Sequence, residues 1–323
     1  MKKNDSKINK VKASKLNKLN KSRKRFAGYF VSLLMIAAII ASSVSPSLLS
    51  LSMTVYADDV VKNEKAQMDF TSSNSKGTVR IKVLSKTDKK VKVSIEKGDM
   101  KYTYDLNGNT NSEAYPLQWG NGEYNIKVLI QASDPNKYSV AMTNKFTLAL
   151  KDDKAPFLNP NQLVNYKNDS KVVKKAAELV KGKTTEIEKV EAIYKEVLKM
   201  EYDTKKASTV QSGYLPDVDV IFDSKKGICF DYAAVFAAML RSQGIPAKLV
   251  MGWVKVPNSK DPVYHAWNEF YLKEKGWFKV NEMKFDGKTF SRVDATFDSS
   301  NNSNSAVIKF IGDGSNYSKS YEF

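Results

Sequence analysis

The chain has little of the two side chains that most often build covalent and metal frameworks. Among 323 residues there is one cysteine, Cys229, and one histidine, His265. A lone cysteine excludes an intramolecular disulfide, so hydrophobic burial has to hold the fold together. Without a cysteine pair or a second histidine, a structural zinc site has no ligands. The acidic stretches Pro216-Asp217-Val218-Asp219 and Gly312-Asp313-Gly314-Ser315-Asn316 lack the ligand spacing of an EF-hand loop and read as solvated loops. No metal-ligating residue and no cofactor are therefore expected, with a carboxylate-only calcium site the alternative. There is no basic stripe with interleaved aromatics, which argues against nucleic-acid binding. No apolar run reaches the roughly 20 residues that a stable membrane-spanning helix needs.

What is present begins with charge. Residues 1–25 hold eleven Lys and Arg against one acid, Asp5. An apolar run of about a dozen residues follows from Phe30 to Ala41, and Val55-Tyr56-Ala57 offers small side chains where a signal peptidase reads. Residues 1–57 are predicted to be a signal peptide cleaved after Ala57, with an uncleaved anchor as the alternative. In that second case alone would the protein contact a membrane. The expected location is secreted or at the cell surface, associated with the wall. The whole chain carries a formal +17, of which residues 1–25 supply +10, so the mature part is about +7 with its charges scattered. Such a surface is attracted to anionic wall polymers, or is simply well solvated.

Residues 58–77 are polar and read as a flexible lead-in. From 78 to 150 the apolar period is two: Val79, Ile81, Val83; Val91, Val93, Ile95; Tyr124, Ile126, Val128; Phe146, Leu148, Leu150. Turn signals at Asn107-Gly108-Asn109, Gly120-Asn121-Gly122 and Asp134-Pro135-Asn136 separate these runs. The pattern predicts a small antiparallel β-sandwich module with a binding or spacing role. Residues 151–156, a charged cluster ended by Pro156, read as a linker to a second domain over 157–323. There the period becomes helical. A helix from about Ser170 to Lys181 stops at Gly182. Thr185 and Glu188 have the spacing of a capping box, and the helix they open puts Ile187, Val190, Tyr194, Val197 and Leu198 on one buried face. An irregular stretch then leads from Tyr202-Asp203 towards the cysteine.

Cys229 follows Gly227-Ile228 and precedes Phe230-Asp231-Tyr232-Ala233-Ala234-Val235-Phe236-Ala237-Ala238-Met239-Leu240. This run predicts a buried helix that ends at Gly244, with Pro246 beyond. The thiol then sits at the first helical position, where free backbone N–H groups favour a thiolate and can donate to a developing oxyanion. The alternative is a small side chain filling a helix-end gap. His265 lies in Val263-Tyr264-His265-Ala266-Trp267-Asn268-Glu269-Phe270-Tyr271-Leu272, a strand by composition. Alternation puts His265, Trp267, Glu269 and Tyr271 on one face. A further strand over 290–297 carries Asp294 among apolar neighbours. An acid there suits the role of holding an imidazole in one tautomer.

These three segments resemble the transglutaminase-like superfamily of papain-type cysteine enzymes. The resemblance rests on Gly227-Ile228-Cys229-Phe230-Asp231-Tyr232-Ala233, then His265-Ala266-Trp267-Asn268-Glu269, then Val293-Asp294-Ala295-Thr296-Phe297, and covers about 155–323. It implies an α+β fold, with a papain- or transglutaminase-like catalytic domain following the sandwich. It further implies Cys229 as nucleophile, His265 as general base and then acid, and Asp294 as the residue orienting His265. In the family the connection to the aspartate is often short. Here Trp277-Phe278 is followed by Val280-Asn281-Glu282 and a hairpin, which leaves Glu282 as the alternative acid; Asp286 and Asp298 look like loop residues. A further oxyanion donor is expected in Gln211-Ser212-Gly213-Tyr214-Leu215-Pro216, with Tyr214 either that donor or a packing aromatic.

The implied reaction is attack on an amide through a thioester, giving protein cross-linking, deamidation or amide hydrolysis. The alternatives are a secreted cysteine peptidase acting on cell-wall or extracellular peptides, and a non-catalytic surface binding protein. The expected partner is a protein or peptide substrate.

Overall fold

The computed structural model describes residues 59–255, 260–278, 282–285, 288–291, 294–296 and 315–323. The leader expected over 1–57 lies outside them. Among the described residues no helix is long and apolar enough to cross a membrane.

Alternating side chains build the N-terminal half. Strands β1 (Val60–Lys62), β2 (Ala66–Asp69), β3 (Thr78–Val83) and β6 (Glu113–Pro116) form one antiparallel sheet. Strands β4 (Val91–Lys97), β5 (Met100–Leu106), β7 (Gly122–Gln131) and β8 (Tyr138–Leu148) form a second, in the order β5-β4-β7-β8. The inward positions Met68, Ile81, Val93, Ile95, Ile126 and Val128 are completely buried in a shared core. All three predicted turn segments fall between strands.

Two readings change. Residues 58–77, expected as a flexible lead-in, carry β1, β2 and a helical turn over Ser73–Lys76. Most of their polar side chains stay at least partly exposed, Ser73 excepted, while Ala66, Met68 and Phe70 supply the buried face. The charged segment 151–156 runs into a short 3-10 turn, Ala155–Phe157, whose residues are all buried. The sandwich and the residues that follow it belong to one compact unit.

In the second half, helix Lys171–Leu179 and helix Glu186–Val197 occur where the periodicity put them. Thr185 accepts from the Glu188 N–H, and the Glu188 carboxylate reaches back to the Thr185 N–H, so the capping box is complete. The supposedly irregular stretch holds two further helices, Thr204–Thr209 and Val218–Ser224, capped by Asp203 and Asp217. Asp217 and Asp219 therefore serve a helix start instead of a solvated loop: Asp219 also accepts from the Val172 N–H at 3.2 Å. Short strands β9 (Glu201–Tyr202) and β10 (Lys226–Gly227) pair in parallel just before the cysteine.

The helix Cys229–Ser242 is apolar on every side from Tyr232 to Leu240, and its residues from Asp231 to Arg241 are buried. It packs on an antiparallel sheet of β11 (Ala247–Val254), β12 (Val263–Leu272), β13 (Gly276–Phe278) and β16 (Tyr317–Glu322), in the order β13-β12-β11-β16. Strands β14 (Glu282–Phe285) and β15 (Lys288–Ser291) form a separate hairpin where an insertion was predicted. The architecture is α+β.

Candidate functional site

The start of the Cys229–Ser242 helix is set by a buried carboxylate. Asp231 occupies the third helical position and reaches back to the Ile228 N–H at 2.9 Å. Its other lone pairs accept from Tyr214 Oη at 2.6 Å and Lys206 Nζ at 2.5 Å. Lys206 Nζ also lies 2.6 Å from Tyr214 Oη. The Asp231 side chain is wholly inaccessible, so these partners are what make its burial tolerable. Gly227 is needed for space: a Cβ there would sit 2.6 Å from Asp231 Cβ. The helical ladder begins with the Tyr232 N–H to the Ile228 carbonyl at 3.1 Å, so the N–H groups of Cys229 and Phe230 precede it. The thiol itself is half-buried at the edge of the core.

Strand β12 brings the imidazole to that helix start. Asn268 donates to the Ala233 carbonyl at 2.9 Å and the Lys248 carbonyl at 3.1 Å, fastening β12 to both the cysteine helix and β11. His265 is buried, with Nε2 at 2.8 Å from Asp294 Oδ2, and it interacts with the Cys229 side chain. Burial opposes charge on the ring. The adjacent Asp294 carboxylate and the Cys229 side chain outweigh it and raise the imidazole above its ordinary 6.5. The Trp267 ring lies nearly parallel to that of His265, 6.3 Å away.

Asp294 is not on a strand. β15 ends at Ser291, and Asp294 precedes helical residues Ala295 and Thr296. This corrects the strand predicted over 290–297, whose alternation is that of β15 and stops before the acid. Asp294 is nevertheless buried, and its Oδ2 accepts from Tyr317 Oη at 2.9 Å as well as facing His265. Its Oδ1 accepts from the Thr296 N–H at 3.2 Å. The alternative acid Glu282 falls on β14, of which only the backbone is described; Asp286 and Asp298 lie outside the described residues.

Tyr214 lines the same cleft as Cys229, and its hydroxyl donates to Asp231. Burial, with the Asp231 carboxylate second, raises its pKa well above the ordinary value of 10. The residue ties the loop at 210–215 to the start of the cysteine helix.

Tyr317 and Lys206 were not identified from the sequence. Tyr317 has no local signal, because β16 enters the site from 52 residues beyond His265. Gly252, opposite His265 in β11, permits that approach: a Cβ there would fall 2.1 Å from the Ser318 carbonyl and 2.9 Å from the Trp267 ring. For Asp231 a signal was available, since an acid three residues after Ile228 has the spacing of a capping box.

The thiol opens into a cleft of about 620 Å³. One wall comes from the helix start, β12 and the loop at 210–215. The other is β5 of the sandwich, with Tyr102, Thr103, Tyr104 and Asp105. A thiol at a helix N-terminus, facing an imidazole that a buried carboxylate orients, is an arrangement suited to nucleophilic acyl transfer. Among the described residues there is no cluster of His, Cys, Asp and Glu suited to a metal ion.

Residues 173–282 match the model of the transglutaminase-like superfamily. This part of the chain, which spans Cys229 and His265, is a transglutaminase-like core. The chain is 35% identical over 71 residues to a protein-glutamine gamma-glutamyltransferase of Pseudomonas aeruginosa, a match covering 20% of this chain and 11% of that protein. It spans only about a tenth of the length of the curated relatives it matches. Solved structures similar to it include a candidate cysteine protease of Cytophaga hutchinsonii (17% identity, 82% of this chain and 73% of that one, TM-score 0.38). The periplasmic domain of TgpA from Pseudomonas aeruginosa is another (16% identity, 68% and 93%, TM-score 0.31).

Proposed function

We propose that the protein is a thiol-dependent acyl transferase or amide hydrolase that works outside the cytoplasm on the glutamine side chains of proteins or peptides. The observation that carries this reading is the position of His265, 2.8 Å from Asp294 and facing Cys229 closely enough to feel its charge. The Cys229 thiolate attacks the carboxamide carbon, and the Cys229 and Phe230 N–H groups stabilise the oxyanion. The C–N bond breaks, protonated His265 gives its proton to the departing ammonia, and a thioester remains. An amine or water then attacks the thioester, His265 takes up its proton, and the thiol is released. Asp294 holds the imidazole oriented and stabilises its charged form throughout.

A glutamine carboxamide is preferred over a backbone amide because the match to the protein-glutamine gamma-glutamyltransferase of Pseudomonas aeruginosa favours it. The basic and then apolar N-terminal segment supports export. The test is incubation with glutamine-containing peptides and a labelled primary amine, with products read by mass spectrometry. The expected product carries the amine or a +1 Da shift on the glutamine side chain, and Cys229→Ala forms neither. Cleaved backbones would establish a peptidase instead. Labelling of Cys229 by a thiol probe at pH 6–7 no faster than in denatured protein would remove the basis of both.

A further inference from the structure

Among the described strands β5 is an edge strand: it pairs there with β4 alone, and its other side borders the cleft that holds Cys229. The β4–β5 hairpin turns through Gly98 and Asp99, with Lys97 opposite Met100 and Gly98 at φ 56. In a two-residue hairpin the pair flanking the turn exchanges hydrogen bonds with itself, and the pattern alternates from there. Lys97/Met100, Ile95/Tyr102 and Val93/Tyr104 are thus the bonded pairs. Glu96/Lys101, Ser94/Thr103 and Lys92/Asp105 are the non-bonded ones, whose outer members turn N–H and C=O away from β4. One contact agrees with this phase: the Asp105 carbonyl is taken by Gln162 Nε2 from outside the sheet. Thr103, two residues earlier, lines the cleft and presents the next outward N–H and C=O.

We propose that the β5 edge is a strand-addition site for the acyl-donor polypeptide, which pairs with Thr103 while its glutamine side chain reaches Cys229. This rests on the function proposed above and adds the form in which the substrate is recognised, an extended segment and not a folded surface. Backbone pairing supplies affinity without regard to sequence, and selectivity falls to pockets that receive alternate side chains. Room for such a segment exists. Beyond Asp105 and Gln162 the cleft continues into a second one of about 910 Å³, rimmed by asparagines and by Glu113, and Gly213 and Leu215 border both. At the end near the thiol, half-exposed Tyr264 offers an aromatic face. The Gln162 cap on Asp105 marks where the pairing stops.

The phase of the strand provides a selective test. Proline at position 103 deletes an outward N–H and leaves the β4–β5 ladder whole, as proline on edge strands does. Thr103→Pro is expected to lower kcat/KM at least tenfold on a library of glutamine-centred decapeptides. Turnover of acetylglutamine amide, too short to pair, should stay within twofold. Thr103→Val, which keeps the N–H, should leave both within twofold. An equal loss on both donors, or no loss on the decapeptides, would overturn the proposal. Retention of the same decapeptides on immobilised Cys229→Ala needs no turnover, so it decides the edge proposal even if the reaction proposed above is wrong. Peptides N-methylated at alternate backbone positions should not be retained, a result that requires no change to β5. Retention as strong as that of the unmethylated peptides would refute strand addition.

Discussion

The two halves of the molecule bury different things. The buried polar side chains of the sandwich are Ser73, Thr78, Ser94 and Gln118, and none of them ionises. Beyond residue 155, the buried acidic and basic side chains among the described residues are Glu196, Asp231, Arg241, His265, Glu269 and Asp294. Asp231, His265 and Asp294 are gathered around one thiol. A sheet satisfies its own backbone groups, so alternating apolar residues are enough to close it. A buried charge is tolerable only with partners, and partners have to be held by tertiary structure. The first half thus closes mainly on apolar burial, while the second half also depends on several polar contacts.

That contrast can be broken in graded steps. The largest effect is expected from Asp231→Ala, which strands Lys206 and frees the Ile228 N–H and Tyr214. A loss of about 3–5 kcal/mol, typical of breaking a buried ion pair, should appear in urea unfolding, together with loss of acyl transfer. A loss under about 1 kcal/mol would show that the network is not what holds the helix start.

The next effect is on pH dependence. His265 has a folded-state pKa raised above 6.5 by Asp294 and Cys229. Its contribution to stability is therefore complete below pH 6.5 and is lost as pH rises through the higher folded-state value. The stability difference between the parent and His265→Gln should shrink from pH 6 towards pH 10. A difference that grows over that range would contradict the assigned ion pair.

Tyr317→Phe removes the second donor to Asp294 Oδ2 and should lower kcat about tenfold, or ~1.4 kcal/mol, with KM unchanged. The alkaline limb of its pH profile should also move to higher pH, because Asp294 loses a donor that competes with His265 for its charge, a change that loss of packing alone would not cause. The smallest effect is expected in the sandwich. Ile126→Val removes one buried methylene, costs about 1 kcal/mol, and should leave turnover untouched. A fall in rate there would mean that the sandwich core is coupled to the thiol through β4 and β5.

Much of this was legible in local patterns. The run Cys229–Leu240 identifies its buried helix because glycine, an apolar block and then Gly244 leave little alternative. The alternation around His265 puts Trp267 and Glu269 on its face of β12, where ring stacking on Trp267 and the Lys319–Glu269 pair are found. Asp294 could be named from the motif, but not located, because the alternation at 288–291 belongs to a hairpin that ends before it. β5 itself went unread although Tyr102, Tyr104 and Leu106 alternate with Lys101, Thr103 and Asp105. The helices at 204–209 and 218–224 are too short for a period and are announced only by their aspartate caps.

The sequence by itself determined that any thiol chemistry must involve Cys229 and His265, since no other residue can supply either group. It also determined the two kinds of core, because apolar periods of 2 and 3.6 are properties of the chain. Tertiary structure alone decided that Tyr317 stands beside Asp294, that Tyr214 answers to Asp231, and that an edge of the sandwich faces the thiol. Each of these joins residues from distant segments. Their meeting depends on how strands are ordered and sheets are packed, which no local spacing encodes.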